Sequence, residues 1–387
     1  MHPRTYALTN PDKPAFIMAD SGETVSYGEL EDNANRIAQL FRKSGLGNGD
    51  HIAIMLANEP LFFHVVWAAQ RSGLVYTCIS THLNVDDAMY ILANCEAKLL
   101  VTSSSYLQAM GDPRARAPAL ANVLLTDGAR GAAMDLVSAM AEQPATAIAD
   151  EQAGVDMLYS SGTTGRPKGV AVTLESTSID EMLPVMKGMA ALYGFDEHTV
   201  YLSTVPLYHA APLRFNLLAM SQGGTCVIMR QFDGSVALDL IERFGVTHSQ
   251  WVPIMFSRML KAGLQQDRRR ELSTHRVAIH AAAPCPVAVK QAMIDWWGPI
   301  LYEYYSSTEG IGFTAIDSHQ WLRHPGSVGQ AVVGDIRILD EQGREQARGT
   351  SGLVYFANGP GFSYFGDPEK TAAARNSAGW YSVGDIG

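Results

Sequence analysis

Between Ser26 and Gly45 the apolar positions Leu30, Ala34, Ile37 and Phe41 return with the spacing of one helix face. Ser26 and Glu29 precede that run at capping-box spacing, and Gly45 suits its end. Strand-like runs then alternate with helical ones: strands over His51–Leu56, Lys98–Thr102 and Asn122–Thr126, with a helix near Leu61–Arg71. Residues 127–152 are Ala-rich and polar at intervals, which predicts a surface excursion, and the apolar run Val155–Tyr159 follows. A second block has strand patterns at Val200–Thr204, Thr225–Met229, Thr247–Val252, Arg276–His280 and Ile300–Tyr304. Helical patterns lie between them, around Phe215–Met220, Val236–Phe244, Ile254–Leu264 and Val287–Trp297. Such alternation predicts parallel sheets with covering helices. Beyond Trp321, glycine-rich turns separate short strands at Ser327–Val333, Ile336–Leu339 and Gly352–Phe356, the pattern of a small antiparallel barrel. The expected fold class is α/β: two parallel-type sheet subdomains, 1–180 and 181–320, and a β-barrel subdomain, 321–387.

One run departs from all periodicity. Residues 159–170 read Tyr-Ser-Ser-Gly-Thr-Thr-Gly-Arg-Pro-Lys-Gly-Val. Gly162, Gly165 and Gly169 let the backbone approach a ligand closely. Ser160, Ser161, Thr163 and Thr164 add hydroxyl donors, and Lys168 ends the loop with a mobile positive charge. A polyanion, and above all a nucleotide triphosphate, is the ligand such a loop suits. It is not a Walker A loop, because Pro167 precedes the lysine and Gly169 follows it.

Composition narrows the alternatives. With 387 residues, 47% of them hydrophobic and 18% charged, the chain can bury a large core. A formal charge of −10 argues against a general nucleic-acid or anionic-membrane binder. Any phosphate site must then be made locally positive by loop amides, Lys168 and a metal ion. Cys78, Cys95, Cys226 and Cys285 are widely spaced and suggest neither a zinc site nor a disulfide framework. The N-terminus has no signal-peptide core and no apolar run is long enough to span a bilayer, so a soluble cytoplasmic protein is expected.

Further segments carry chemistry. Tyr304-Tyr305-Ser306-Ser307-Thr308-Glu309-Gly310 follows a strand pattern, His280-Ala-Ala-Ala-Pro284-Cys285 is a small-residue turn, and Tyr381-Ser-Val-Gly384-Asp385 lies near the end. With the 159–170 run, nearly letter for letter, these resemble the adenylate-forming superfamily: acyl- and aryl-CoA synthetases, luciferases and the adenylation domains of non-ribosomal peptide synthetases. The resemblance spreads over essentially the whole chain. It implies that Ser160, Ser161, Gly162, Thr163, Thr164, Gly165 and Lys168 hold the phosphates of ATP. It implies further that Tyr305 stacks on adenine beside Glu303 and Tyr304, that Ala282, Ala283 and Pro284 wall the base, and that Asp385 accepts the ribose hydroxyls. Thr308 would touch the α-phosphate, and Glu309 with Thr164 would hold Mg²⁺, a cation commonly bound by few carboxylates plus phosphates.

The acid-binding groups implied are His209, in Pro206-Leu-Tyr-His209-Ala, with Trp251, Val252, Met255 and Ala281 lining an acyl pocket. Read alone, His209 is as well explained as a core histidine, and the Trp251–Phe256 run as core. Two departures from the family pattern stand out. Ser306 takes the place where glycine is commonest, and Thr173-Leu174 stands where many relatives have a histidine. Phe232-Asp-Gly-Ser235 is superficially like an amino-acid-binding signature but lies in the wrong place.

The resemblance implies an ATP-dependent acyl-CoA synthetase, with coenzyme A as co-substrate and a fatty, steroid-side-chain or aryl acid as substrate. Relatives continue into a small mobile domain, which this chain lacks, so it is expected to bind ATP and acid but to catalyse poorly alone. A peptide-synthetase-type adenylation domain and a non-catalytic adenylate-binding module are the alternatives. The expected partners are small molecules, with neither nucleic acid nor an integral membrane, and a homodimer is an open alternative to a monomer.

Overall fold

Tyr27–Lys43 forms the helix that the apolar period predicts. The Glu29 N–H donates to Ser26 Oγ at 3.2 Å to cap its start. Gly45 follows with φ +82°, a backbone that a side chain would oppose. Leu30, Ala34, Ile37 and Phe41 are all buried, and each large side chain so buried contributes roughly 1.5–3 kcal/mol. The computed structural model describes residues 2–160, 165–174, 177–267 and 269–387. The chain divides into two compact units, Met1–His248 and Ser249–Gly387.

The first unit holds a six-stranded sheet in the order Met134–Asp135, Asn122–Leu125, Leu99–Thr102, His51–Met55, Val75–Cys78, Val155–Asp156. Every neighbouring pair is parallel. The Leu99–Thr102 and Val75–Cys78 strands are buried along their whole length. Burial on both faces explains why these strands read as continuous apolar runs and not as alternation. Val75–Cys78 and the Val85–Asn94 helix, capped by Asn84 accepting from the Asp87 N–H at 2.9 Å, are elements the periodicity does not announce.

The 127–152 segment is not merely a surface excursion. Met134–Asp135 extends the sheet, Leu136–Ala141 is a short helix capped by Asp135, and Arg36 and Gln39 of the long helix hold the Gln143 and Thr146 carbonyls. The same unit pairs Pro14–Met18 in parallel with Thr225–Ile228 and antiparallel with Thr24–Ser26, and Val200–Ser203 lies beyond Thr225–Ile228.

In the second unit Val277–His280 runs parallel to Leu301–Ser306, and Phe313–Asp317 and Gln330–Val333 continue the pairing antiparallel. The Leu301 strand extends to Ser306, so Tyr305 and Ser306 are strand residues. Asp335–Leu339 pairs antiparallel with Leu353–Ala357, and Tyr381 and Ile386 bridge to that second strand. Ile311, Val354 and Phe356 form the core here, with Tyr305, Ile336, Ile338 and Tyr381 packed against it. The architecture is α/β, with one two-stranded antiparallel sheet among the described residues beyond Trp321 and Gln330–Val333 paired onto the Phe313–Asp317 strand. Among the described residues no helix is long and apolar enough to cross a membrane.

Candidate active site

The 159–170 run starts and ends in a hairpin. Tyr159–Ser160 pairs antiparallel with Lys168–Gly169, so that Lys168 lies opposite Ser160. Ser161, Gly162, Thr163 and Thr164 lie outside the described residues. Gly165 is exposed with open space where a Cβ would be. Gly169 has no such freedom, because a Cβ there would come within 2.9 Å of the Tyr159 ring. That ring is fixed in turn by its hydroxyl, which donates to Asn94 Oδ1 at 2.5 Å. The Arg166 guanidinium sits 5.0 Å from the centre of the Tyr90 ring, a cation–π contact. The root of the loop is thus anchored to the Val85–Asn94 helix from both sides.

In the second unit, two residues singled out from motifs eighty positions apart meet. The Tyr305 hydroxyl donates to Asp385 Oδ2 at 2.7 Å. Burial first, then the Asp385 carboxylate, push the Tyr305 hydroxyl well above its ordinary pKa, so it stays a donor. Its ring stacks at 6.1 Å and 18° on Phe356. Tyr304, facing the other way on the strand, stacks on Phe313 at 5.0 Å and 16°.

Thr308 and Glu309 occupy the turn that follows, closed by Gly310 N–H donating to the Ser307 carbonyl at 3.0 Å and by φ +66° at Gly310. Ser306, at the place of the family's glycine, uses its hydroxyl to donate to the Gly312 carbonyl at 2.8 Å and so ties the two ends of the turn. Ser307 Oγ is buried and has no partner among the described residues. Glu309 is buried as well, and one of its oxygens, Oε1, accepts from the Tyr364 hydroxyl at 2.9 Å.

Glu303 is committed to a buried ion pair, its Oε2 lying 2.5 Å from Lys290 Nζ. Burial pushes the Lys290 ammonium down and the Glu303 carboxyl up, and each partner opposes the other's shift. His280 is fully buried 3.8 Å from the same carboxylate. Desolvation, and then the Lys290 charge, hold it well below the usual imidazole range. Beyond it the chain turns sharply. Ala281 is buried, Ala282, Ala283 and Pro284 are exposed, and Ala282 takes φ +74°. A non-glycine residue in that region costs of order 1–3 kcal/mol and persists only where its surroundings impose it.

His209 is the N-cap of the Ala210–Ser221 helix, its ring 4.7 Å from Tyr208, which in turn meets His82 at 6.3 Å. The residue is exposed, and desolvation, then the nearby His82, lower its pKa. In the second unit Trp251 is fully buried against Phe256 and Trp297, with its indole N–H donating to Ser249 Oγ at 2.6 Å. Met255 is buried and Val252 half-buried.

Two polar residues at these positions escape sequence reading: Lys290, inside an apolar helix, and Tyr364. For Lys290 the only signal is a charge on an otherwise apolar helical stretch. For Tyr364 it is the Gly366-Asp367-Pro368 run, which marks a helix start just beyond. Neither signal reveals the partner. Tyr364 also lines a surface cavity of about 360 Å³ with Asp367, Thr371, Arg375 and Tyr381. Among the described residues no group of three or more His, Cys, Asp or Glu side chains could hold a metal ion.

Comparison with known proteins agrees with the motifs. The pattern of the AMP-binding enzyme family matches residues 4–363. A crotonobetaine/carnitine–CoA ligase of Citrobacter koseri is 28% identical over 97% of this chain and 74% of its own length. A long-chain-fatty-acid–CoA ligase of Mycobacterium tuberculosis is 26% identical over 99% of this chain and 75% of its own. ATP-bound MatB from Rhodopseudomonas palustris superposes with a TM-score of 0.80 at 27% identity, over 100% of this chain and 76% of that one. With the family pattern running through both units, the chain belongs to the AMP-binding enzymes, the adenylate-forming family, and over nearly its whole length it is similar to these acid–CoA ligases.

Proposed function

We propose that this chain is the ATP- and acid-binding part of an acyl-CoA synthetase acting on a fatty, steroid-side-chain or aryl acid. In the first step a carboxylate oxygen of the acid attacks the α-phosphorus of ATP. The bond to the bridging oxygen breaks, and pyrophosphate leaves from an acyl-adenylate. In the second, the coenzyme A thiol attacks the acyl carbon, its proton is lost, and AMP departs with the bonding pair.

Lys168, Ser160, Ser161, Gly162, Thr163, Thr164 and Gly165 are the phosphate ligands in this reading, and Thr308 touches the α-phosphate. Preorganised donors of this kind are typically worth on the order of 100- to 1000-fold in rate each. The oxygen donors of Glu309 and Thr164 suit Mg²⁺, a cation commonly held by few carboxylates plus phosphates. Bound there, Mg²⁺ would neutralise charge gathering on the departing pyrophosphate. His209, Trp251, Val252, Met255 and Ala281 border the acid, and their apolar character favours a hydrophobic acyl group over acetate.

One observation carries this reading. Tyr305 and Asp385, assigned from separate motifs to the base and to the sugar of one nucleoside, are in hydrogen-bond contact. The test is a thermal-shift screen of carboxylic acids with ATP and Mg²⁺, since ligand binding to the folded state raises its melting temperature. Hydrophobic acids are expected to give larger shifts than acetate. Equal shifts would remove the substrate class, and no shift with ATP alone would remove the nucleotide reading.

A further inference from the structure

Glu309 is met by a phenol that arrives from fifty-five positions along the chain, and that phenol is itself held firmly. The Tyr364 ring packs edge-on against Phe362 at 5.0 Å and 83°. Its backbone N–H donates to Thr371 Oγ1 at 2.8 Å, and the Thr371 hydroxyl donates to the Asp367 carbonyl at 2.8 Å. Asp367 caps the Pro368–Ala373 helix by accepting from the Lys370 N–H. Tyr364 Oη therefore reaches Glu309 Oε1, at 2.9 Å, from a braced position.

A carboxylate free to turn can give a cation one oxygen or two. A fixed phenol on Oε1 takes one of that oxygen's lone pairs and holds the carboxylate from turning, which disfavours a two-oxygen grip and leaves Oε2 the better ligand. Mg²⁺ demands a near-ideal octahedron, whereas Ca²⁺ accepts one or two oxygens from a carboxylate in a looser shell. We propose that Tyr364 is a positioning residue that restricts Glu309 to a single metal-facing oxygen and thereby sets the preference of the nucleotide site for Mg²⁺ over Ca²⁺. The inference rests on the reading of Glu309 as the carboxylate that holds the cation.

Calorimetric titration of ATP into the protein, with Mg²⁺ or with Ca²⁺ and without turnover, tests it. In Tyr364→Phe, which loses only the hydroxyl, the ratio of affinity with Mg²⁺ to affinity with Ca²⁺ is expected to fall about tenfold, the scale of one hydrogen bond to a charged group. A merely structural role would lower both affinities together, and that outcome, or an unchanged ratio, overturns the proposal. Thr371→Val keeps the phenol but removes the acceptor of its backbone N–H. It serves if Tyr364→Phe does not fold, with a smaller fall expected and an unchanged ratio again decisive against. Glu309→Gln separates the premise from the inference. If it binds Mg²⁺–ATP like the parent, the reading of Glu309 has failed. If it loses that binding while Tyr364→Phe keeps the parent ratio, only the role of Tyr364 has failed.

Discussion

Tyr305 and Asp385 are joined by a 2.7 Å hydrogen bond that fixes one carboxylate oxygen of Asp385 and leaves the other to accept from a ligand. Tyr305→Phe keeps the ring that stacks on Phe356 but lets the aspartate turn. Nucleotide affinity should fall about fivefold, corresponding to ~1 kcal/mol for one net hydrogen bond, with little change in melting temperature. Asp385→Asn should cost more than Tyr305→Phe. Equilibrium titration with ATP reads both, and an unaffected Asp385→Asn would remove this residue from the site.

Lys290 and Glu303 form a buried pair 3.8 Å from His280, the residue that precedes the Ala281 to Pro284 turn. Breaking such a pair leaves a buried charge without its counterion, a loss of about 3–5 kcal/mol. Lys290→Met should therefore be severely destabilised in urea unfolding. The double variant Lys290→Met/Glu303→Leu should recover much of that loss, because it removes the stranded carboxylate as well. Additive losses would show that the two residues do not act as a pair.

Stability should depend on pH through His64. It is buried in the Pro60–Arg71 helix with neither ring nitrogen partnered among the described residues. Burial lowers its pKa from 6.5 to about 4. The unfolded chain takes up this proton below pH 6.5 more readily than the folded one, so the contribution is complete above 6.5 and drains away as the pH falls toward 4. The full span corresponds to about 3 kcal/mol. Urea midpoints of the parent should drop across that window, and those of His64→Leu should drop less. Parallel curves would count against the assignment.

Gly312 shows how packing transmits to the candidate site. A Cβ at this position would fall 1.9 Å from Phe356 Cδ1, and the Phe356 ring is the surface on which Tyr305 stacks. Gly312→Ala must displace that ring, and overpacking of this kind costs typically 1–3 kcal/mol. Lower melting temperature together with weakened ATP binding is the expected pair of effects. A lower melting temperature with intact ATP binding would disconnect Phe356 from the site.

Much of this was legible because periodicity and turn chemistry are local. The Tyr27–Lys43 helix announces itself by its stripe and by Ser26, and the Leu301–Ser306 strand by its apolar run. Val75–Cys78 was hidden because Thr77 and Cys78 interrupt the apolar run, and burial on both faces leaves no alternation to detect. Met134–Asp135 was hidden because two residues are too few to carry a period. At the candidate site the motif residues could be named, but not what holds them. The pairs Lys290–Glu303, Tyr364–Glu309 and Tyr305–Asp385 join positions 13, 55 and 80 residues apart in the chain, and only the tertiary fold selects such partners.

The hairpin that sets Lys168 opposite Ser160 makes the register of its pairing decide which face the lysine presents. Along a strand, neighbours point to opposite faces, so a slip of the pairing by one residue would turn the lysine to the reverse side. Two residues would restore the facing at the expense of reach. The pairing at the root of the loop thus governs the aim of the lysine separately from the hydroxyls and glycines between the two positions.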